Sequence, residues 1–256
     1  MIFLLSVVLV AVTNVAAYYP RGPMFGKSTH IEEVPYQVVI LYQDNPVCGG
    51  AIISENYVLT AAHCVGRNER DYRVRTGSSW RNSEGSLHEI QSYVCREDCH
   101  HDLYEKGSKR VVPSNDLALV KFVDPIAFDA KRKPIDLFNE TEVVSAGVDA
   151  LVTGWSKTNA SSEDHLTART VLTLDAGLCD KAYETVGGIP PGQICAAYPG
   201  AIGKGGCQGD SGAPLVTEGR LAGILSWGNG CAKPHYPGVY TEVAYYRDWI
   251  DQNIRS

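Results

Sequence analysis

One serine in this chain is embedded in residues that make tight turns, in the stretch Gly205-Gly206-Cys207-Gln208-Gly209-Asp210-Ser211-Gly212-Ala213-Pro214. Glycines at 209 and 212 admit backbone conformations closed to other residues and leave the amides around Ser211 free to point at a substrate oxygen. A hydroxyl presented this way reads as a nucleophile. Serine alone is a weak one, so the chain must also supply a base, a group that orients the base, and a binding pocket.

Seven histidines are candidates for the base. His63 stands out because Thr60-Ala61-Ala62-His63-Cys64 closes a strand-like run, and a cysteine directly after the histidine can anchor the local backbone through a cross-link. A histidine after a strand also has a purely structural reading. His30, His88, His165 and His235 sit in polar or Pro/Gly-flanked surroundings, where exposed or merely hydrogen-bonded roles are expected. The candidate orienter is Asp116, which opens the apolar run Leu117-Ala118-Leu119-Val120. A carboxylate there becomes partly buried and needs partners, which an imidazole N–H provides. An aspartate at a strand boundary is as often structural as functional, so the case rests on the combination.

The elements that must position these residues read as many short strands. Runs rich in β-branched and aromatic residues occur at 35–42, 51–53, 57–60, 72–76, 117–122, 150–154, 166–174, 221–226 and 238–243, with Ser54-Glu55-Asn56 as a hairpin turn. Asp124 to Gly147, with Pro125, Pro134 and the basic Lys131-Arg132-Lys133, reads as the connection between two β units, the basic triplet being a solvated face. Only the end reads as a helix: from Ala244, the residues Tyr246, Trp249, Ile250 and Ile254 recur at helical spacing. This pattern predicts an all-β sandwich or barrel.

With 256 residues, 44% hydrophobic, the chain can bury a substantial core. Its 25 glycines and 13 prolines fit many turns, and a net charge of -6 offers neither nucleic acid nor an anionic membrane the basic footprint it needs. Residues 1–17 form an uncharged apolar run ending in Val15-Ala16-Ala17, read as a secretory signal peptide, and 18–21, ending in Arg21, as a short propeptide. Export makes disulfides the default for the eight cysteines, with Cys95 and Cys99 close enough for a local loop. The run Cys99-His100-His101 has a minority reading as a metal cluster, which an oxidising compartment disfavours. Asn139-Glu140-Thr141 and Asn159-Ala160-Ser161 are glycosylation sequons that also arise by chance.

Taken together, Thr60-Ala61-Ala62-His63-Cys64, Asn115-Asp116-Leu117-Ala118-Leu119 and Gly209-Asp210-Ser211-Gly212, in that chain order, resemble the three signature motifs of the chymotrypsin/trypsin-like serine proteases, and in particular their chymotrypsin-like invertebrate members. Pro35-Tyr36-Gln37-Val38, Cys48-Gly49-Gly50, Val152-Thr153-Gly154-Trp155, Ser226-Trp227-Gly228 and Pro237-Gly238-Val239-Tyr240 are similar to further family signatures in the expected order. The resemblance spans about 22–256 and implies two six-stranded antiparallel β-barrels, about 22–133 and 134–243, followed by a C-terminal helix. It implies His63 as base, Asp116 as its orienter and Ser211 as the residue acylated, with the amides of Gly209 and Ser211 as an oxyanion hole worth roughly 3 kcal/mol per donor. It also implies disulfides Cys48–Cys64, Cys179–Cys195 and Cys207–Cys231, with Cys95 and Cys99 as an addition. Substrate would be bound by Gly205, Ser226, Trp227, Gly228 and Gly238.

In this family the residue six positions before the nucleophile floors the specificity pocket, and an Asp there selects Arg or Lys. Here it is Gly205, and the wall positions are Gly228 and Gly238. An open, uncharged pocket predicts cleavage after large apolar residues, because a substrate Lys or Arg would be desolvated without a counter-ion. Two positions depart from the family pattern. The freed Ile-Val-Gly-Gly terminus that pairs with the carboxylate beside the nucleophile, Asp210, is replaced by Pro23-Met24-Phe25-Gly26, and cutting at Arg21 exposes Gly22. Ala213 replaces a glycine, which adds roughly 1 to 2 kcal/mol of strain if the position needs positive φ. The expectation is a secreted, extracellular, monomeric serine endopeptidase made as a zymogen. It would use no cofactor or metal, and its partners would be protein or peptide substrates and protein protease inhibitors. The alternative is a catalytically silent homologue that binds proteins through the same cleft. An α/β-hydrolase esterase does not match the order His, Asp, Ser.

Overall fold

The computed structural model describes residues 27–97, 112–155, 164–197, 211–229 and 236–255. The first barrel is built from β2 (Gln37–Tyr42), β3 (Asn45–Ile52), β4 (Tyr57–Thr60), β5 (Tyr72–Thr76), β6 (Ser86–Cys95) and β7 (Ala118–Phe122), preceded by the short β1 (Lys27–Ser28). It closes in the order β2-β3-β4-β7-β6-β5. The Ser54-Glu55-Asn56 turn joins β3 to β4 as expected, with Ala51 opposite Leu59. Register shifts at Ile40/Leu41 and Ile90/Ser92 mark bulges, which add the local bend that a small closed barrel requires. Val38, Ile52, Val58, Leu59, Val74 and Leu119 are all buried in one apolar cluster that covers both faces of these strands. Truncating Leu59 to alanine there would cost about 2–5 kcal/mol.

The second barrel contains β8 (Asp149–Gly154), β9 (Thr167–Thr173), β10 (Gln193–Ala197), β11 (Pro214–Thr217), β12 (Arg220–Trp227) and β13 (Gly238–Glu242). Its ring runs β8-β9-β10-β13-β12-β11 and closes by β11 pairing β8, while β1 adds to the outer edge of β9. Neighbouring residues divide between its faces as the strand period demands. Leu215 and Leu225 enter the inner cluster with Val152, Val171 and Tyr240, whereas Val216 and Ile224 join the larger cluster that continues into the first barrel. Buried Gln37 in β2 accepts a hydrogen bond from Thr153 in β8 at 2.5 Å, fixing the two barrels to one another.

Two α-helices lie among the described residues, α1 (Ala176–Ala182) and α2 (Arg247–Ile254). The C-terminal helix is therefore as expected, although it starts after a turn in which the Tyr246 amide donates to Val243. The reading of a single helix is corrected by α1. With seven residues and only Cys179 buried, it has too little length for an apolar period. Its start is set by Asp175, whose Oδ1 accepts from the Gly177 amide at 2.9 Å. Among the described residues no helix is long and apolar enough to cross a membrane.

Candidate active site

His63 sits in a single 3-10 turn, Ala62–Cys64, immediately after β4. Cys64 is linked to Cys48 in β3 across a Cα–Cα distance of 5.9 Å, so the turn is pinned to the barrel wall. The His63 ring is 17% exposed, open enough to meet a substrate. Its Nδ1 lies 2.8 Å from Asp116 Oδ2, and its backbone amide donates to Asp116 Oδ1 at 3.0 Å.

Asp116 itself is fully buried. Three donors compensate its charge: the His63 ring, the His63 amide, and the Ser226 hydroxyl, which donates to Oδ2 at 2.5 Å. The Asp116 carbonyl accepts from Thr241 Oγ1 at 2.8 Å. The preceding Asn115 takes a left-handed φ of 53°, a conformation asparagine tolerates better than most residues, and its side chain bridges Glu97 and the Tyr246 hydroxyl. Burial pushes the Asp116 carboxyl up, but the His63 charge and the surrounding donors outweigh it and hold the group below the usual carboxylate range. For His63 burial disfavours the charged ring, and the Asp116 charge and hydrogen bond overcome it, leaving the imidazole pKa raised. Because an ionised carboxylate only accepts, Nδ1 carries the proton and Nε2 keeps its lone pair.

Ser211 is held where the barrels meet. Its carbonyl accepts from the Gly49 amide of β3 at 2.8 Å, and the next amide, Gly212, donates to Leu225 of β12 at 2.8 Å. Gly212 has φ +77°, and a Cβ on it would lie 2.4 Å from the Gly49 carbonyl oxygen and 2.5 Å from Thr60 Oγ1. No side chain fits there. Ala213 is not among the positive-φ residues, so the strain considered for this position does not arise. Ser211 and His63 line one cavity of about 170 Å³ beside the Cys48–Cys64 disulfide.

On the second-barrel side, Ser226 lies at a register shift between β12 and β13, and its side chain is committed to Asp116. Trp227 Nε1 donates to Gln193 at 3.2 Å, and its ring packs on Tyr183 with centroids 4.5 Å apart. The Tyr183 hydroxyl donates to the Pro237 carbonyl at 2.5 Å. Among the described residues, a Cβ on Gly228 would meet that carbonyl at 3.9 Å and the Tyr183 hydroxyl at 4.0 Å, both ordinary contacts. Gly238 opens β13 opposite Ala196, and behind this wall Cys179 in α1 is bonded to Cys195 in β10.

Of the residues singled out in the sequence, His63, Asp116, Ser211 and Ser226 are brought together, with Trp227 and Gly228 following on the same strand end. Gly205, Gly209, Asp210, Cys99, Cys207 and Cys231 lie outside the described residues, as do the leader and propeptide stretches at 1–21, the Cys99-His100-His101 run, His235 and the Asn159 sequon. Cys95 is disulfide-bonded. Ligand atoms of Cys48, His63 and Cys64 lie within 4.8 Å of one another, but both sulfurs are tied up in a disulfide and offer no thiolate to a metal. His88 bonds Thr76 and His165 bonds Ser28, both away from His63. The supporting roles of Thr241, Gln193 and Tyr183 carried no local sequence signal, because each contact spans a large stretch of chain.

Two closed antiparallel barrels with a serine, a histidine and a buried aspartate gathered at their junction define the frame of a serine hydrolase. The Trypsin family model matches residues 24–250. A vitellin-degrading protease of Bombyx mori is 35% identical over 90% of this chain and 85% of its own length. Trypsin 5G1 of Aedes aegypti is 36% identical over 89% and 83%. The solved structure of neuropsin, a serine protease of mouse brain, superposes with a TM-score of 0.75 at 30% identity, covering 90% of this chain and 98% of that one. The chain belongs to the chymotrypsin/trypsin-like family of serine proteases, hydrolases of the serine endopeptidase class.

Proposed function

We propose that the protein is a secreted endopeptidase, made as a zymogen, that cleaves peptide bonds after large apolar residues. The observation that carries this reading is the buried Asp116 carboxylate, with a hydrogen bond from His63 on one oxygen and both Ser226 and the His63 ring on the other. A buried charge costs stability unless partnered, and these partners leave it serving the imidazole. His63 Nε2 takes the Ser211 proton as Oγ attacks the scissile carbonyl. The resulting imidazolium is offset by Asp116 and gives its proton to the leaving amine. Water then repeats the sequence on the acyl-enzyme. The amides of Gly209 and Ser211 receive the oxyanion, and Asp210 pairs with the terminus freed on activation.

The preference for an apolar residue rests on Gly205, at the sequence position that floors the pocket in this family, and on Gly228 and Gly238 at the wall positions. Several similar proteins are named trypsins, but the residue at this floor position decides the class of side chain admitted. Peptide p-nitroanilides ending in Phe or Leu should be hydrolysed at least tenfold faster than those ending in Arg, since an unpaired buried cation costs several kcal/mol. Faster turnover of the Arg substrates would overturn the assignment. The altered segment Pro23-Met24-Phe25-Gly26 favours a second reading, a silent homologue that binds proteins through the cleft. Against it stands the complete set of His63, Asp116 and Ser211.

A further inference from the structure

Among the described residues, the cavity beside Ser211 and His63 is lined, apart from Ser211, by the first barrel: Tyr42, Val47, Val65, Arg67, Tyr72 and the Cys48–Cys64 disulfide. None of the second-barrel strands that carry Trp227, Gly228 and Gly238 contributes to it. Ser226 marks the second-barrel side of His63, where it meets Asp116. A peptide whose side chain before the scissile bond enters the second-barrel pocket therefore lays its leaving half into this cavity.

Arg67 gives the cavity a charge. The residue is exposed, yet it is held at two points: its carbonyl accepts from the Tyr93 hydroxyl at 2.6 Å, and its guanidinium lies 4.5 Å from the centre of the Tyr42 ring. Tyr42 packs on Tyr72 at 5.1 Å and Tyr72 on Tyr93 at 6.1 Å, so a row of aromatic rings supports the cation. Among the described residues no carboxylate is ion-paired with Arg67. The acidic side chain on the β2–β3 turn, Asp44, is engaged by Arg73 at 3.3 Å. Glu69 lies close enough to Tyr93 to act on its hydroxyl but forms no ion pair with Arg67, so among the described residues the cation lines the cavity without a paired carboxylate, over an aromatic and aliphatic floor that suits methylene groups.

We infer that Arg67 makes this cavity a subsite for an acidic side chain, aspartate or glutamate, within the first two residues of the leaving peptide. The inference rests on the endopeptidase reading above. An exposed ion pair contributes little, so the preference is modest, roughly two- to fivefold, and sensitive to salt. The test uses acyl transfer. Purified, processed protein is acylated at Ser211 by an N-acyl-phenylalanine ester, and the acyl-enzyme is partitioned between water and added dipeptide amides. The amine of the dipeptide attacks the acyl carbonyl, a peptide bond forms, the Ser211 ester bond breaks, and His63 relays the amine proton to Ser211 Oγ.

Dipeptide amides bearing Asp or Glu should capture the acyl group roughly two- to fivefold better than their Lys counterparts at low salt. The ratio should fall toward one at 1 M salt, where the screening length shrinks to about 3 Å. Arg67→Glu should reverse it. Each ratio is taken within one sample, so it does not depend on how much active protein a preparation contains. A low-salt ratio of one or less in the unsubstituted protein overturns the inference without any variant, and an unchanged ratio in Arg67→Glu does the same. Absence of ester hydrolysis overturns the endopeptidase reading itself, and the subsite falls with it.

Discussion

The two halves of the cleft are built by different means. On the base side, Asp116 is buried and each of its oxygens is hydrogen-bonded, by groups from the turn after β4, from β12 and from β13. On the pocket side, Trp227 and Gly228 are half-buried, and among the described residues a Cβ at position 228 would meet nothing closer than 3.9 Å. One half is specified by charge and hydrogen bonding and tolerates no loss of a partner. The other is specified by shape, held from behind by Tyr183 and the Cys179–Cys195 bridge, and can change what it admits without disturbing the fold. On the proposed reading, chemistry and selectivity are thereby separated within a single cleft.

The sharpest way to break this division is Asp116→Asn. The amide retains size but presents donors to the imidazole and favours the wrong tautomer, so kcat should fall on the order of ten-thousand-fold, the loss typical of the Ser-His-Asp template. Folding should survive, which circular dichroism will check. A fall of less than tenfold would show that Asp116 is only a structural strand-boundary residue. On the pocket side, Gly228→Val should leave thermal stability within about 1 kcal/mol, because its Cβ makes only ordinary contacts with the described residues. It should cut kcat/KM for phenylalanine substrates roughly a hundredfold while sparing those ending in alanine. Equal losses on both substrates would mean that the wall does not select by size.

The contrast between the halves also governs what could be read without a structure. The residues proposed to do chemistry, His63, Asp116 and Ser211, sit in short motifs and were legible, as were strands dense in large apolar and aromatic residues such as β2, β4 and β7. β6 escaped because Ser, His, Glu and Gln interrupt its apolar residues and only Ile90 is buried. β11 opens on Pro214, which reads as a turn, and β10 carries few β-branched residues. The supports of the base were hidden for another reason: Ser226 reaches Asp116 across 110 residues and Thr241 reaches it across 125. Such contacts follow from barrel closure, which no local pattern encodes. Gly212 was legible as a turn residue, but that its Cβ would collide with both Gly49 and Thr60 emerged only once the barrels met.

The central claim is that Ser211 is made nucleophilic by His63 under the hold of Asp116. Its most direct test is the pH dependence of Ser211 labelling by an organophosphonate carrying a phenylalanine-like group, on protein processed by trypsin. Only the neutral imidazole can accept the serine proton, so a raised His63 pKa places the loss of reactivity on the acid side. The labelling rate should climb as pH rises through a midpoint above the ordinary imidazole value of about 6.5, and that midpoint should drop in Asp116→Asn, whose neutral side chain no longer favours the imidazolium. Labelling confined to Ser211, with this profile, is the predicted result. No labelling under any processing condition, or a rate indifferent to pH, would contradict the account.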